Sequence, residues 1–364
     1  MSLLDIYRNL PVEVAGGEGC KIFDFDGKEY IDLTSGLGVN ILGYNVPEIN
    51  QVLSRAHTVL HISNLFLDRL KEEIASRLER LTGMDYTFFT NSGTEAVEAS
   101  IKFAWKTKRG KVLALEGSFH GRTLGSWSLS HILRTQPFPE IGVEIEFIPI
   151  DRPEILEKNS DAAIFIFEPI QGSGGVRPIS IEMAEAIKSI QRRGVIVIAD
   201  EVQSGMGRTG EFICSHHYGI KPDIVLLGKG LGGGLPLGAV LMSKSIAENI
   251  KRGEHGSTMG GNHLALMLSK VVLDRIENGL MDRVRELGRY VFEQYREGFD
   301  LRGKGLFIGI ETNQEHMDLK LLERGFIVSV VRGKIVRLLP PYIIDIETID
   351  KFFKELQEVC LESG

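Results

Sequence analysis

Between about residues 86 and 242 short apolar runs alternate with amphipathic stretches, and few folds accommodate that rhythm. The runs are Tyr86–Phe89, Val112–Leu115, Glu144–Ile148, Ala162–Phe167, Val195–Ala199, Ile224–Leu227 and Ala239–Met242, with helical spacing over 95–107 and 181–193. Runs apolar on both faces belong to strands covered on both sides, and strands separated by helices pair mostly in parallel. The expected fold class is therefore α/β: a large domain with a mostly parallel seven-stranded sheet covered by helices, plus a smaller α+β domain. Ligands of such sheets sit beyond the carboxyl ends of the strands.

The flanks read differently. Lys21–Phe25 and Lys28–Leu33 surround Asp26-Gly27, which predicts a hairpin with a type I′ turn. Ile49–Leu60 and Asp68–Leu81 have helical periodicity. From about residue 265 come long amphipathic helices over 265–298 and 315–324, then short strands at 306–311, 326–330 and 335–339. A closing helix over 347–361 carries Ile349, Phe352, Phe353, Leu356 and Val359 on one face. The expected division is an N-terminal segment with the hairpin (1–45) that joins the small domain, a large ligand-binding domain (46–264) and a C-terminal α+β domain (265–364).

Lys and Arg total 42 against 49 Asp and Glu, a net charge of −7. That balance argues against nucleic acid as a partner. The apolar runs are too short to span a membrane, and Met1–Leu10 lacks the pattern of a secretory signal. Cys20, Cys214 and Cys360 form no C-x-x-C pair, so a reducing, cytoplasmic setting is expected. Glycine is abundant, 41 of 364 residues, against a usual ~7%. It gathers at 172–175, 205–210, 228–238 and 256–261, where backbone must turn tightly or approach a ligand.

Three strand ends carry candidate chemistry. Asn91-Ser92-Gly93-Thr94-Glu95 fits a capping box at the start of a helix, an ordinary cap or a phosphate site. Asp200 closes the run Val195–Ala199; a carboxylate there stays ionised beside a cation, or else caps a helix or binds a metal. Lys229 lies in an apolar, glycine-rich setting. It is either a solvated loop lysine or a desolvated amine with a lowered pKa, suited to Schiff-base chemistry. Gly205-x-Gly207-x-x-Gly210 and Gly228-x-Gly230-x-x-Gly233 match the dinucleotide fingerprint but lack its strand–turn–helix context. The adjacent His216 and His217 point apart, and no metal site is expected.

Taken together, and in order over nearly the whole chain, these residues resemble the class III pyridoxal-phosphate-dependent aminotransferases, of transferase fold type I. The most specific stretch is Asp200-Glu-Val-Gln-Ser-Gly-Met-Gly-Arg-Thr-Gly with Lys229-Gly-Leu-Gly-Gly-Gly beyond it. Phe119-His-Gly-Arg-Thr, Glu168-Pro-Ile-Gln-Gly and Gly256-Ser-Thr-Met-Gly-Gly-Asn add to it. His61-Ile-Ser-Asn-Leu-Phe and the compact length point, within that family, to the acetylornithine aminotransferases.

The resemblance implies a role for each motif. Lys229 holds pyridoxal 5′-phosphate as a Schiff base and then moves the substrate proton, and Asp200 pairs with the pyridine nitrogen. Ser92, Gly93 and Thr94 cradle the phosphate. Phe119, followed by His120 in the cofactor site, stacks on the ring, and Val202 and Gln203 lie beside it. Thr258 reaches the phosphate of a neighbouring subunit and Ser257 lies near substrate, which implies a homodimer with shared active sites. Arg122 clamps the substrate α-carboxylate. Arg337 holds the second carboxylate of the glutamate/2-oxoglutarate pair; otherwise it is an edge-strand charge in solvent. The implied reaction moves the terminal amine of N-acetylornithine to 2-oxoglutarate, in arginine biosynthesis. Alternatives are ornithine, 4-aminobutyrate or acyl-lysine as donor, a glutamate-1-semialdehyde aminomutase, and a non-catalytic nucleotide-binding module. One position departs from the family: relatives usually read Gln-Gly-Glu-Gly-Gly where this chain has Gln171-Gly-Ser173-Gly-Gly. Ser173 cannot neutralise Arg337 as that Glu does.

Overall fold

A computed structural model of the chain describes residues 4–55, 59–134 and 142–362. Its central sheet has seven strands, in the order Tyr86–Thr90, Gly238–Met242, Ile224–Leu227, Ile196–Asp200, Ile164–Phe167, Val112–Leu115, Ile145–Ile148. Gly238–Met242 alone runs antiparallel to its neighbours, and the remaining strands share one direction. The reason for the sheet is visible in its middle: Ile164, Phe165, Ile166 and Phe167 are fully buried. Each such side chain contributes roughly 1.5–3 kcal/mol by leaving water. Helices cover the sheet, among them Gly93–Thr107 and Ile181–Arg192.

Two smaller sheets flank this layer. Val14–Glu18, Lys21–Asp24 and Glu29–Asp32 form a meander that Phe326–Ile327 joins in parallel, beside Glu29–Asp32. Asp300–Lys304, Phe307–Glu311, Ile335–Leu338 and Ser329–Val331 form the other. One apolar cluster runs from Leu33 and Ile41 through Leu227 and Leu241 to Phe352 and Leu356, so the sheets share a core. The closing helix spans Ile346–Glu362 and buries Ile349, Phe352, Phe353, Leu356 and Val359, as their spacing predicts. Arg208 stitches the layers together. Its guanidinium is buried against the Tyr342 ring and donates to the carbonyls of Pro340 (2.6 Å) and Leu306 (3.3 Å).

The structure corrects several local expectations. The turn at Asp26-Gly27 is not type I′, which requires positive φ at both central residues. Only Gly27 has it (φ +80°), and Asp24 Oδ1 instead accepts the N–H groups of Asp26 and Lys28. The helix expected over 265–298 is two, His263–Arg275 and Met281–Gln294. Asn278 and Gly279 (φ +99°) break helical geometry between them, a conformation glycine adopts at no steric cost. Asp300–Lys304 is a strand that polar composition concealed. The helix expected over 49–60 is Pro47–Arg55, and residues 56–58 of that span lie outside the described residues.

Candidate active site

The parallel strands deliver their carboxyl ends to one side of the sheet. Beyond those ends lies a cavity of about 520 Å³. Ser92, Gly93, Thr94, Phe119, His120, Arg122, Asp200, Val202, Gln203 and Lys229 all line it. The antiparallel strand contributes from its start, where Gly234–Leu237 closes one wall.

At one end is the N-terminus of helix Gly93–Thr107. Ser92 Oγ accepts the Glu95 N–H at 3.3 Å. The Glu95 carboxylate reaches past Ser92 to Asn91, accepting both its backbone N–H (2.8 Å) and its side-chain amide (2.9 Å). The capping box is thus half-formed, because Asn91 offers the carboxylate two donors where Ser92 offers one. The N–H groups of Gly93 and Thr94 have no carbonyl in the preceding turn, so they are available to an anion. Thr94 Oγ1 already meets the hydroxyls of Thr123 (2.9 Å) and Ser126 (2.6 Å). Gly93 has no room for a side chain: a Cβ would stand 2.7 Å from Val202 Cγ1.

On the floor, Asp200 is 5% exposed and His120 3%. Asp200 Oδ2 lies 2.7 Å from His120 Nδ1, and its Oδ1 accepts the Val202 N–H at 3.2 Å. A proton on Nδ1 lets His120 donate to the carboxylate, and that bond fixes the orientation of the ring. Its Nε2 is buried without a partner. Glu168 is the second buried carboxyl. It accepts the Phe119 N–H at 2.8 Å and the Gly172 N–H at 3.3 Å, and burial, with Asp200 nearby, pushes it up to about 7.

Lys229 follows the strand Ile224–Leu227 in a tight turn over Lys229–Gly232. Its φ of +47° is left-handed, a conformation that costs a non-glycine residue roughly 1–2 kcal/mol and marks functional sites. Burial first, then the charge of Arg337, hold its amine down to about 8. About a tenth of it is then neutral at pH 7, far more than at the ordinary value of 10.5, which suits an amine to act as nucleophile and proton carrier.

Arg337 is buried in the strand Ile335–Leu338 rather than exposed at an edge. Its Nη1 donates to Gln203 Oε1 (3.3 Å) and its Nε to Ser329 Oγ (3.1 Å). Burial lowers it to about 10, and Glu168 is the carboxyl that opposes that shift. Arg122 is exposed at the cavity mouth, its guanidinium 5.5 Å from the Phe119 ring centroid. Ser257 and Thr258 do not line the cavity. Ser257 Oγ accepts from Asn91 Nδ2 at 3.0 Å and faces a separate cleft, and Thr258 is exposed. Sequence reasoning quoted Glu168 in a motif without giving it a role. Its signal was the one that found Asp200, a carboxylate closing a fully buried strand.

The donor set fits one kind of molecule. The helix end could hold an anionic group, the Asp200 carboxylate could pair with a protonated ring nitrogen, and Phe119 and Val202 offer apolar surface to a ring. The Lys229 amine takes a carbonyl carbon. The orphaned His120 Nε2 and the closed space at Gly93 belong to a site shaped around a ligand.

Comparison with known proteins agrees with this chemistry. The acetylornithine aminotransferase of Aquifex aeolicus is 40% identical, over 98% of this chain and 99% of that protein. The solved acetylornithine aminotransferase of Elizabethkingia anophelis is 32% identical, with a TM-score of 0.84 over 99% of this chain and 96% of that one. The ornithine aminotransferase of Toxoplasma gondii, whose structure is described as having partial occupancy of PLP at the active site, is 28% identical. Its TM-score is 0.90 over 99% of this chain and 92% of that one. The family model "Aminotransferase class-III" matches residues 5–360. With a lysine, a carboxylate and a helix end gathered at one sheet edge, and a match over almost its whole length, the chain belongs to the class-III aminotransferase family.

Proposed function

We propose that this enzyme moves the terminal amine of N-acetylornithine to 2-oxoglutarate, giving N-acetylglutamate semialdehyde and glutamate, in arginine biosynthesis. The observation that carries the chemistry is Lys229, a buried amine held down to about 8 in the same cavity as Asp200 and a helix N-terminus. The donor rests on the names of the acetylornithine aminotransferases this chain resembles. Ornithine is the second reading, favoured by the likeness to the ornithine aminotransferase of Toxoplasma gondii.

Pyridoxal 5′-phosphate, when bound, supplies a covalent handle for the amine and an electron sink for the substrate carbon. Ser92 and the N–H groups of Gly93 and Thr94 bind its phosphate. Asp200, oriented by His120, keeps a proton on the pyridine nitrogen, and Phe119 and Val202 flank the ring. Gln203 lies toward the ring's phenolic oxygen. Lys229 Nζ takes a proton from the substrate carbon and returns it at the far side of the exchange. Arg122 clamps the α-carboxylate bidentately, and Arg337 holds the second carboxylate of glutamate and 2-oxoglutarate.

A homodimer with shared active sites completes this reading. Leu65, Phe66 and Leu67 are 90%, 70% and 91% exposed, an apolar strip of the kind that marks interfaces. Asn64, next to the strip, donates to the Ser257 carbonyl at 2.8 Å, so the strip adjoins the loop of Thr258. Thr258 then serves the neighbouring phosphate, and Ser257 lies near substrate. Among the described residues no helix is long and apolar enough to cross a membrane. The three cysteines are unpaired, which supports a reducing cytoplasm.

The test is a single-turnover absorbance experiment without oxo-acid. Cofactor-loaded enzyme is mixed separately with N-acetylornithine, ornithine, 4-aminobutyrate, acetyl-lysine and glutamate. Fast loss of the visible band with N-acetylornithine and glutamate alone is the expected result. Fast loss with ornithine instead moves the assignment to the second reading. A visible band that survives Lys229→Ala overturns the mechanism.

A further inference from the structure

Outside the Lys229 cavity, and sharing no lining residue with it, a second concave site carries a concentration of positive charge that the aminotransferase reaction does not use. It is a cleft of about 290 Å³ between helix Met281–Gln294, the strand end at Lys304 and the short turn Cys214–Tyr218. Arg285, Arg289, Arg296, Lys304 and His217 line it, and no carboxylate does. Arg285 and Arg289 are one helical turn apart, so both point to the same face. The cleft owes its shape to a close backbone crossing. A Cβ on Gly288 would lie 2.4 Å from Gly305 Cα, so the turn after Lys304 rests directly on the helix.

The cations in this cleft are unevenly partnered. Arg285 is engaged, with Asp282 at 2.6 Å, the Gly210 carbonyl at 2.7 Å and Glu211 at 3.5 Å, so both carboxylates at the rim are taken by this one cation. Arg289, Arg296 and Lys304 have no hydrogen-bonding or ion-pair partner for their side chains among the described residues. Burial and the nearby Lys304 charge also hold the His217 imidazole below its ordinary range. Its Nε2 lies 3.2 Å from Thr209 Oγ1, which also lines the cleft. Like charges brought together in a concave wall repel one another, and the wall focuses their field on whatever enters.

We propose that this cleft binds a compact anion carrying two or more negative charges, held by Arg289, Arg296 and Lys304. Guanidinium forks bind phosphate or carboxylate in two-point contacts, and the lysine adds a mobile point charge. The volume sits near the low end of the roughly 300–1,000 Å³ typical of ligand sites, which selects a small molecule over a peptide or a nucleic acid. Phosphorylated metabolites and polycarboxylates share this chemistry.

Holoenzyme freed of phosphate buffer is titrated calorimetrically with pyrophosphate and, separately, with citrate. Saturable binding of at least one is expected. It weakens at least about tenfold in the Arg289→Ser/Lys304→Ser double variant, which keeps the cofactor absorbance and the turnover of the parent. Binding of pyrophosphate alone assigns a phosphorylated ligand, and binding of citrate alone assigns a polycarboxylate. If the double variant does not fold, Arg296→Glu on the exposed rim must weaken the same binding. No saturable heat from either anion overturns the proposal. So does equal affinity in parent and variants, which would place the anion in the Lys229 cavity instead.

Discussion

Lys229 and Glu168 share one cavity with titration ranges pushed toward each other, the amine down to about 8 and the carboxyl up to about 7. For the amine, the consequence for stability has a definite sign. Lys229 binds its proton less tightly in the native apoprotein than at its ordinary value of 10.5. Below about pH 8 both the native and the unfolded chain carry the proton, and the native state bears the full cost of burying a charge. Between there and 10.5 the unfolded chain holds more protons, so stability rises with pH. Apoprotein Lys229→Met should therefore exceed the parent in stability by up to about 3 kcal/mol at neutral pH, with the gap closing as pH rises toward 10.5. Urea denaturation over a pH series reads this directly, and a gap independent of pH contradicts it. Ser173 sets a second expectation. With no carboxylate at that position, the hydrogen-bond partners of Arg337 among the described residues are the neutral Gln203 and Ser329, and Glu168 acts on it through its charge alone, so it stays available to glutamate. Ser173→Glu should shift the ratio of the two half-reactions toward the ω-amino donor, measured as separate single-turnover rates. An unchanged ratio sinks the idea. At this scale Asp200 and Lys229 were legible, because charged residues that close apolar strands have few structural explanations. Arg208 was not, because its partners at Leu306, Pro340 and Tyr342 are distant in sequence and no local pattern announces them.

At the scale of elements, helix Gly93–Thr107 is a structural member and, in the proposed function, an anion site, so one residue tests both roles. Ser92→Ala removes the side-chain acceptor for the Glu95 N–H. It should cost the apoprotein about 1 kcal/mol, as lost N-caps do. It should cost more in the holoenzyme if, as proposed, the hydroxyl also binds the phosphate. Thermal unfolding with and without cofactor separates the two, and equal losses in both forms would leave Ser92 as a cap alone. Elements whose reason is burial on both faces were readable, as Ile164–Phe167 and Ile224–Leu227 demonstrate. Asp300–Lys304 was not, since its residues are only partly buried and its pairing to Phe307–Glu311 is supplied by the neighbouring strand. The break at Asn278-Gly279 was equally hidden, because apolar spacing continues through it and only the backbone changes course. At the hairpin, Asp-Gly marked the turn correctly, but the turn type was decided by the Asp24 side chain, which no dipeptide rule includes.

At the scale of the whole molecule, Thr258 is the residue one chain leaves unexplained. It is exposed and does not line its own chain's cavity, as a residue directed at another subunit must be. The homodimer reading predicts that an inactive Lys229→Ala subunit can still lend its Thr258 loop to an active neighbour. Mixing Lys229→Ala protein with a variant disabled at Thr258 should then restore activity to hybrids that neither parent has. Sedimentation should find a dimer. Failure of hybrids to recover activity would show that each site is built from one chain. An assembly of this kind is beyond the reach of periodicity, which records what one chain buries but not what covers Leu65–Leu67.

The stitch made by Arg208 has an electrical consequence as well as a mechanical one. Its guanidinium is satisfied by uncharged carbonyls and the face of Tyr342, and no carboxylate among the described residues pairs with it. A cation neutralised by a carboxylate presents only a dipole to its surroundings, whereas Arg208 remains a monopole in a medium of low polarisability, where potential falls off slowly. That potential extends to Lys229 and helps to release its proton. The tie that holds the C-terminal segment to the sheet therefore also serves as a permanent bias on the catalytic floor, inviting negative charge into the cavity before any ligand arrives.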